Sequence, residues 1–254
     1  MRRMFQLVTA FLILSSTSVS ALDAAKAVAV TKAADSFAAL AGDSARTGKV
    51  PRQTDPAAAP LLNLVFDTSE VQTGGVQPMA ALGGLSGWLL AVNKVGIIYF
   101  LAGTGVTDPA AAAPDPSVAA KVDANSVAYA PELGRYSDAA LRLEAAIMDT
   151  VIAYLATAPQ SELDRTKNGI AQIRGGAAQT MNGLITALSI NGMDDAWRRD
   201  RLAVLAEVAP RAAKFLLPED LRALRENAMS VAAKMNDPSL RGAVTSLADA
   251  LVRG

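Results

Sequence analysis

The chain has 254 residues, with 24 basic and 24 acidic side chains, and it contains neither histidine nor cysteine. Histidine is the usual general base near neutral pH and cysteine is the most nucleophilic side chain, so Ser-His-Asp and Cys-His catalytic groups are excluded. Disulfide bonds and the zinc sites that use these residues are excluded as well. The balanced charge gives no electrostatic reason to expect nucleic-acid binding. We expect no cofactor and no metal.

A near match to a phosphate-binding loop occurs at residues 42–49. Five residues separate its two glycines, where the motif has four, and Val50 stands where the motif needs serine or threonine. We therefore expect no nucleotide site.

Residues 1–21 have the pattern of a secretory signal peptide. Arg2 and Arg3 precede an apolar stretch, Phe5–Leu14, which is too short to span a bilayer. Val19–Ala21 fits the small-x-small rule for cleavage. We expect cleavage after Ala21 and a mature chain in the periplasm or secreted from the cell. A retained N-terminal anchor is the alternative.

Composition divides the remainder of the chain into three parts. Residues 22–60 combine an alanine-rich helix with an exposed linker, and residues 61–116 form an apolar, glycine-rich segment that ends in a Pro/Ala linker. Residues 117–254 have helical periodicity throughout and are expected to form a helical domain. Residues 61–254 could share one hydrophobic core.

The apolar segment at residues 79–106 carries a single charge, Lys94. A transmembrane helix would place that lysine near its middle, at a cost of about 2.5–3.5 kcal/mol. A β-hairpin over residues 88–101 would turn at Asn93-Lys94. A buried helix would place four apolar side chains on one face, and this is the interpretation we favour. Those side chains are Leu82, Leu85, Leu89 and Val92.

The second half of the chain predicts an all-α fold, an irregular helical bundle. Two helices, at about residues 137–158 and 161–190, flank Pro159 and are expected to form an antiparallel hairpin because their connection is short. Three shorter C-terminal helices follow, and their starts are marked by Asp194, Pro218 and Asp237. The β-hairpin at 88–101 is the minority alternative to an all-helical chain.

When the two hairpin helices are aligned antiparallel about their short connection, Glu144 lies opposite Arg174. Glu144 falls inside the apolar face of its helix, and Arg174 lies at the edge of the facing one. We predict an ion pair that fixes the register of the two helices. A catalytic carboxylate with a shifted pKa is the alternative, but Asp138 and Asp149 lie on the opposite side of the helix and cannot assist it.

The second hairpin helix has two unusual stripes. Its glycines at 169, 176 and 183 are seven residues apart, which predicts either close approach of another helix or a break near Gly175. A second stripe is polar but uncharged, and it is expected to face solvent, the N-terminal half of the chain or a polar ligand. The stripe consists of Asn168, Gln172, Gln179, Asn182 and Thr186.

These observations favour an exported protein that is not an enzyme and that binds another envelope protein or a second copy of itself. The alternative is a carrier of a lipid or other amphiphile, in which residues 79–106 line an apolar cavity and Lys94 or Arg174 meets the head group. A carboxylate enzyme that uses Glu144 is the third hypothesis. The candidate ligand or partner contacts are Lys94, Trp88, Gln172, Gln179 and Asn182.

Overall fold

The computed structural model describes residues 21–71, 79–108 and 115–252. Within these ranges the chain is all-α and has no β-strand, so the predicted fold class is confirmed. Residues 1–20 of the expected signal peptide lie outside the described residues. A 3₁₀ turn, Met79–Ala81, precedes the fourth helix. The helices are α1 (Ala21–Ala41), α2 (Ser44–Thr47), α3 (Ala59–Phe66), α4 (Leu82–Phe100), α5 (Pro116–Ala128), α6 (Ala130–Thr157), α7 (Gln160–Ala187), α8 (Asp195–Phe215), α9 (Pro218–Lys234) and α10 (Pro238–Ala250).

The predicted hairpin is formed by α6 and α7. Only two residues join these helices, and across the turn the hydroxyl of Tyr154 donates a hydrogen bond to Glu162 at 3.4 Å. α6 begins seven residues earlier than predicted because Pro131 occupies its first turn, where a missing N–H costs nothing. The three shorter C-terminal helices are confirmed as α8, α9 and α10.

Aspartates fix the starts of three helices. Asp115, Asp194 and Asp237 each accept hydrogen bonds from backbone N–H groups in the first turn of α5, α8 and α10 respectively. Such caps satisfy N–H groups that have no partner inside the helix. The signals that predicted the starts of α8 and α10 are therefore the groups that hold them.

The apolar segment is a core helix, α4, and the β-hairpin at 88–101 is wrong. Leu82, Leu85, Leu89 and Val92 are all buried, with at most 9% of any of them exposed. Their helical spacing buries one continuous face between α1 and α6, which the two-residue period of a strand would split. By length and composition alone, Met79–Phe100 is the one described stretch that could cross a membrane; half of its most apolar window is buried inside the fold.

The segment expected to be an exposed linker, within residues 42–60, is instead fastened to the core. The hydroxyl of Tyr99 donates to the carbonyl of Pro51 at 2.8 Å, and that of Tyr129 donates to Gly48 at 2.9 Å. Arg52 lies 4.2 Å from the centre of the Tyr129 ring. A buried tyrosine hydroxyl usually forms a hydrogen bond, and here the carbonyl groups of the loop accept those bonds.

Close packing of α4 on α6 depends on Gly96. A Cβ at this position would lie 2.5 Å and 2.6 Å from two ring carbons of Tyr136, closer than atoms can approach. The ring is held in place, since it packs edge-on against Phe100 and its hydroxyl donates to Asn93 at 3.3 Å. The glycine is therefore needed for the contact itself.

We expect Gly96→Ala to lower the free energy of unfolding by about 1–3 kcal/mol, because the buried ring must move to admit the methyl group. The measurement is urea denaturation followed by circular dichroism. Gly87→Ala, in the same helix, is the control, since its Cβ would meet Ala27 at an ordinary 3.8 Å. Equal effects of the two substitutions would contradict this account of the α4–α6 contact.

Candidate functional site

α6 is the central helix of the fold, and α4, α7 and α8 all pack against it. Its buried polar side chains are the first place to look for chemistry, because burial and unmet hydrogen bonds mark functional groups. Two of its acids occupy different interfaces. Glu144 faces α7, and Asp138 faces α8.

Glu144 is a buried acid with one unsatisfied oxygen. Only 4% of the residue is exposed, and its Oε2 atom has no hydrogen-bond partner. Burial raises the pKa of its carboxyl from an ordinary 4.5 to about 8, although a hydrogen bond from the Thr180 side chain of α7 opposes the shift. Leu141 and Met148, which lie on the same face of α6, are fully buried. At pH 7 Glu144 is therefore mainly in its protonated, neutral form.

The predicted ion pair between Glu144 and Arg174 is not formed. The Nε atom of Arg174 donates instead to the backbone carbonyl of Phe215 at 2.9 Å, and its guanidinium lies 5.3 Å from the centre of the Phe215 ring. Side chains in a helix lean toward the N-terminus of that helix. Glu144 therefore leans away from the hairpin turn and Arg174 leans toward it, so Glu144 meets Thr180, which lies further along α7.

The surroundings of Glu144 do not resemble an acid/base site. The titratable group that it influences is Tyr136, whose pKa is raised mainly by burial and secondarily by Glu144. The tyrosine hydroxyl is already bonded to Asn93. Among the described residues, no group of three or more Asp and Glu side chains is arranged to hold a metal ion. The arrangement can store and release a proton at Glu144.

A second polar cluster holds α6 to α8. Arg201, with 9% of its side chain exposed, pairs with Asp138 at 2.7 Å, and Arg211 pairs with Asp149 at 2.9 Å. Burial lowers the pKa of Arg201, and its attraction to Asp138 opposes the shift. Asp138 Oδ1, Arg142 Nε and Arg201 Nε are buried without a partner. Each aspartate neutralises the arginine with which it pairs across the interface.

Sequence reasoning missed these two ion pairs. It placed Asp138 and Asp149 on a polar side of α6, but α8 covers that side. A signal was present: the two aspartates are eleven residues apart, and Arg201 and Arg211 are ten apart, about three helical turns in each case. Matching spacings of opposite charge predict two helices paired side by side, and the two ion pairs show that the helices run in parallel.

Two of the predicted contact residues have structural partners. Trp88 is buried, and its indole N–H donates to the carbonyl of Val65 at 2.8 Å. Lys94 forms an ion pair with Asp35 of α1 at 2.6 Å, where about half of each side chain is exposed. Trp88 therefore fastens α4 to α3, and Lys94 bridges α4 and α1 at the surface.

One side of the uncharged stripe on α7 is covered by α9, and not by the N-terminal half of the chain. Asn227 donates to the side-chain oxygens of Asn182 and Thr186, both at 3.0 Å. Gln172 remains exposed and Gln179 half-buried. At about 100° per residue Thr186 lies on the same stripe as Gln172 and Gln179, so the uncovered part borders the contact with α9.

We call this uncovered part of α7 the amide face. At about 100° per residue its members lie on one side of the helix. No Lys, Arg, Asp or Glu occurs in the sequence between Gly175 and Met193. A Cβ built at Gly175 or at Gly183 would meet nothing within 4 Å, so the close helix approach predicted at Gly183 is wrong. The amide face comprises Asn168, Gln172, Gly175, Gln179 and Gly183.

We expect Gly175→Ala and Gly183→Ala each to raise the free energy of unfolding by about 1 kcal/mol, because alanine favours a helix and has room at both positions. Thermal denaturation compares each variant with the parent. Loss of stability at either position would mean that the neighbouring space is filled or that α7 is not a regular helix there.

None of the family models, curated proteins or solved structures with which the chain was compared matches it, so its function is inferred from its own residues.

Proposed function

We propose that the chain is exported and acts at the cell envelope by binding a helix of another protein, or of a second copy, through the amide face of α7. The signal-peptide pattern of residues 1–21 supports export. The observation that carries the binding role is the uncharged, glycine-containing surface that α7 leaves uncovered.

The chemistry of the amide face suits a protein partner. Exposed helix surfaces usually carry lysine, arginine and glutamate, whereas the centres of protein interfaces are depleted of charge. Gln172 and Gln179 can each donate and accept hydrogen bonds, and no ion has to be stripped of water when they are covered. Gly175 and Gly183 have no side chains to keep a second helix at a distance.

The charged residues of the described domain support binding over catalysis. Arg174, Arg201 and Arg211 are engaged at helix interfaces, and Lys94 is paired at the surface. Glu144 lies between two helices with its carboxyl shielded from solvent.

Photo-crosslinking in living cells tests the binding role. A photo-reactive amino acid is placed at Gln179 and, as the control, at the exposed Ser246 of α10. We expect a defined adduct from position 179 alone, with twice the mass of the chain if the partner is a second copy. Adducts from both positions, or from neither, would contradict the role of the amide face.

A second variant ties the adduct to this surface. Gly183→Leu would add a large side chain to the amide face, and Gly242→Leu would add one to α10; a Cβ at either position meets nothing within 4 Å. We expect the first to abolish the adduct and the second to preserve it. An adduct that survives Gly183→Leu would place the partner on another surface.

A carrier of lipid or another amphiphile remains the alternative. The cations expected to meet a head group are engaged otherwise, Lys94 by Asp35 and Arg174 by Phe215. Organic extraction of the purified protein, followed by mass spectrometry, decides between the two roles. A stoichiometric lipid would establish the carrier.

A further inference from the structure

Glu144 stands out because nothing in its surroundings neutralises a negative charge. Its Oε2 atom is buried without a hydrogen-bond partner. The one side-chain bond that favours its charged form comes from Thr180. An ionised carboxylate in such a place is strongly disfavoured unless its surroundings change.

The charged side chains near α6 interact with groups other than Glu144. On the α8 side, Asp138 is paired with Arg201 and Asp149 with Arg211. On α7, Arg174 is held at Phe215. Arg142 has no partner at its Nε atom, but it lies on the α8 side, beside Asp138 and Arg201. None of the others can neutralise an ionised Glu144 while keeping its present partner.

The elements that approach Glu144 from the other directions also offer no charge. Tyr136 on its own helix is the titratable group beside it, and that hydroxyl bonds to Asn93 of α4. Lys94, the charge carried by α4, is exposed and paired with Asp35. Beyond the bond from Thr180, the charged carboxyl can therefore obtain further hydrogen bonds only from water.

α7 is the helix whose movement could admit water to Glu144. It carries glycines at 175 and 183, on either side of Thr180, and neither is required for packing. Such glycines weaken a helix interior. This part of α7 is also held by α9, where Asn227 donates to Asn182 and Thr186, and its exposed side carries the amide face. α6, by contrast, is enclosed by several helices.

We propose that Glu144 is a proton-controlled latch, so that loss of its proton releases the second half of α7, about residues 174–187, from α6 and admits water to the interface. With the proton in place the two helices stay closed. Release exposes the apolar faces that carry Leu141 and Met148 on α6 and Leu184 on α7. The bond that changes is the O–H of the carboxyl, whose proton passes to solvent.

Hydrogen–deuterium exchange of the whole mature chain tests the latch. Peptides from α7 are compared with peptides from α8 and α10 at about pH 6 and about pH 9.5, after correction for intrinsic exchange rates. In the parent chain we expect protection of α7 to fall at least about tenfold at the higher pH while α8 and α10 stay protected. In Glu144→Gln, which stays neutral, α7 should be equally protected at both pH values.

Two further variants make the outcome specific. Thr180→Val removes the bond that favours the charged carboxylate, so release should move to higher pH. Glu226→Gln removes an exposed glutamate of α9 and should behave like the parent. Uniform loss of protection along the chain, or a pH response of α7 that survives Glu144→Gln, would overturn the latch.

Discussion

Raising the pH from about 5 to about 9 is expected to lower the free energy of unfolding by several kcal/mol, because Glu144 is ionised far more easily in the unfolded chain than in the folded one. Its folded pKa is about 8, against an ordinary 4.5. Below the ordinary value the carboxyl is neutral in both states and has no effect. Between the two values only the unfolded state loses its proton, so stability falls as the pH rises. Above the folded value the decline stops.

Urea denaturation at a series of pH values measures this slope. Glu144→Gln should remove most of it and should be the more stable form at high pH. Glu226→Gln, an exposed substitution of the same type, should keep the slope. A parent chain and Glu144→Gln with parallel pH profiles would show that Glu144 is not a buried neutral acid.

Removal of Asp138 is expected to have an effect of similar size at neutral pH. Asp138→Leu should lower the free energy of unfolding by about 3–5 kcal/mol, because Arg201 would keep its charge at a buried interface without its 2.7 Å partner. Denaturation of the purified variant measures the loss.

The double variant Asp138→Leu with Arg201→Met separates the charge from the shape of this interface. It should be more stable than Asp138→Leu alone, since two apolar side chains can replace a buried pair at little cost. If the double variant loses the sum of the two single effects, the pair is not coupled and its assigned role is wrong.

The fold class was predictable because burial in helices leaves a periodic pattern in the chain. In α4 the spacing of Leu82, Leu85, Leu89 and Val92 identified the buried face before any contact was known. In the second half, Pro159 and the helix-starting aspartates marked the turns of the hairpin and of the C-terminal helices. These signals depend only on residues close together in the chain, so a single sequence is enough to recognise them.

The candidate site was less predictable because it depends on how helices pair. Glu144 was recognised as a buried acid from its position in an apolar face, but its neighbour is Thr180 and not Arg174. Matching the positions of Cα atoms along two helices ignores the direction in which side chains point, and for this reason the wrong partner was predicted for Glu144. The loop carbonyls that accept from Tyr99 and Tyr129 involve separations of 48 and 81 residues, beyond the reach of any local pattern.

Native mass spectrometry of the chain, purified without detergent from separate periplasmic and cytoplasmic fractions, tests most directly the claim of an exported protein that binds other proteins. We expect the mass of residues 22–254, free of lipid, with any stoichiometric adduct being a second protein chain. An uncleaved chain confined to the cytoplasm would contradict export, and a stoichiometric lipid on the mature chain would replace protein binding with the carrier function.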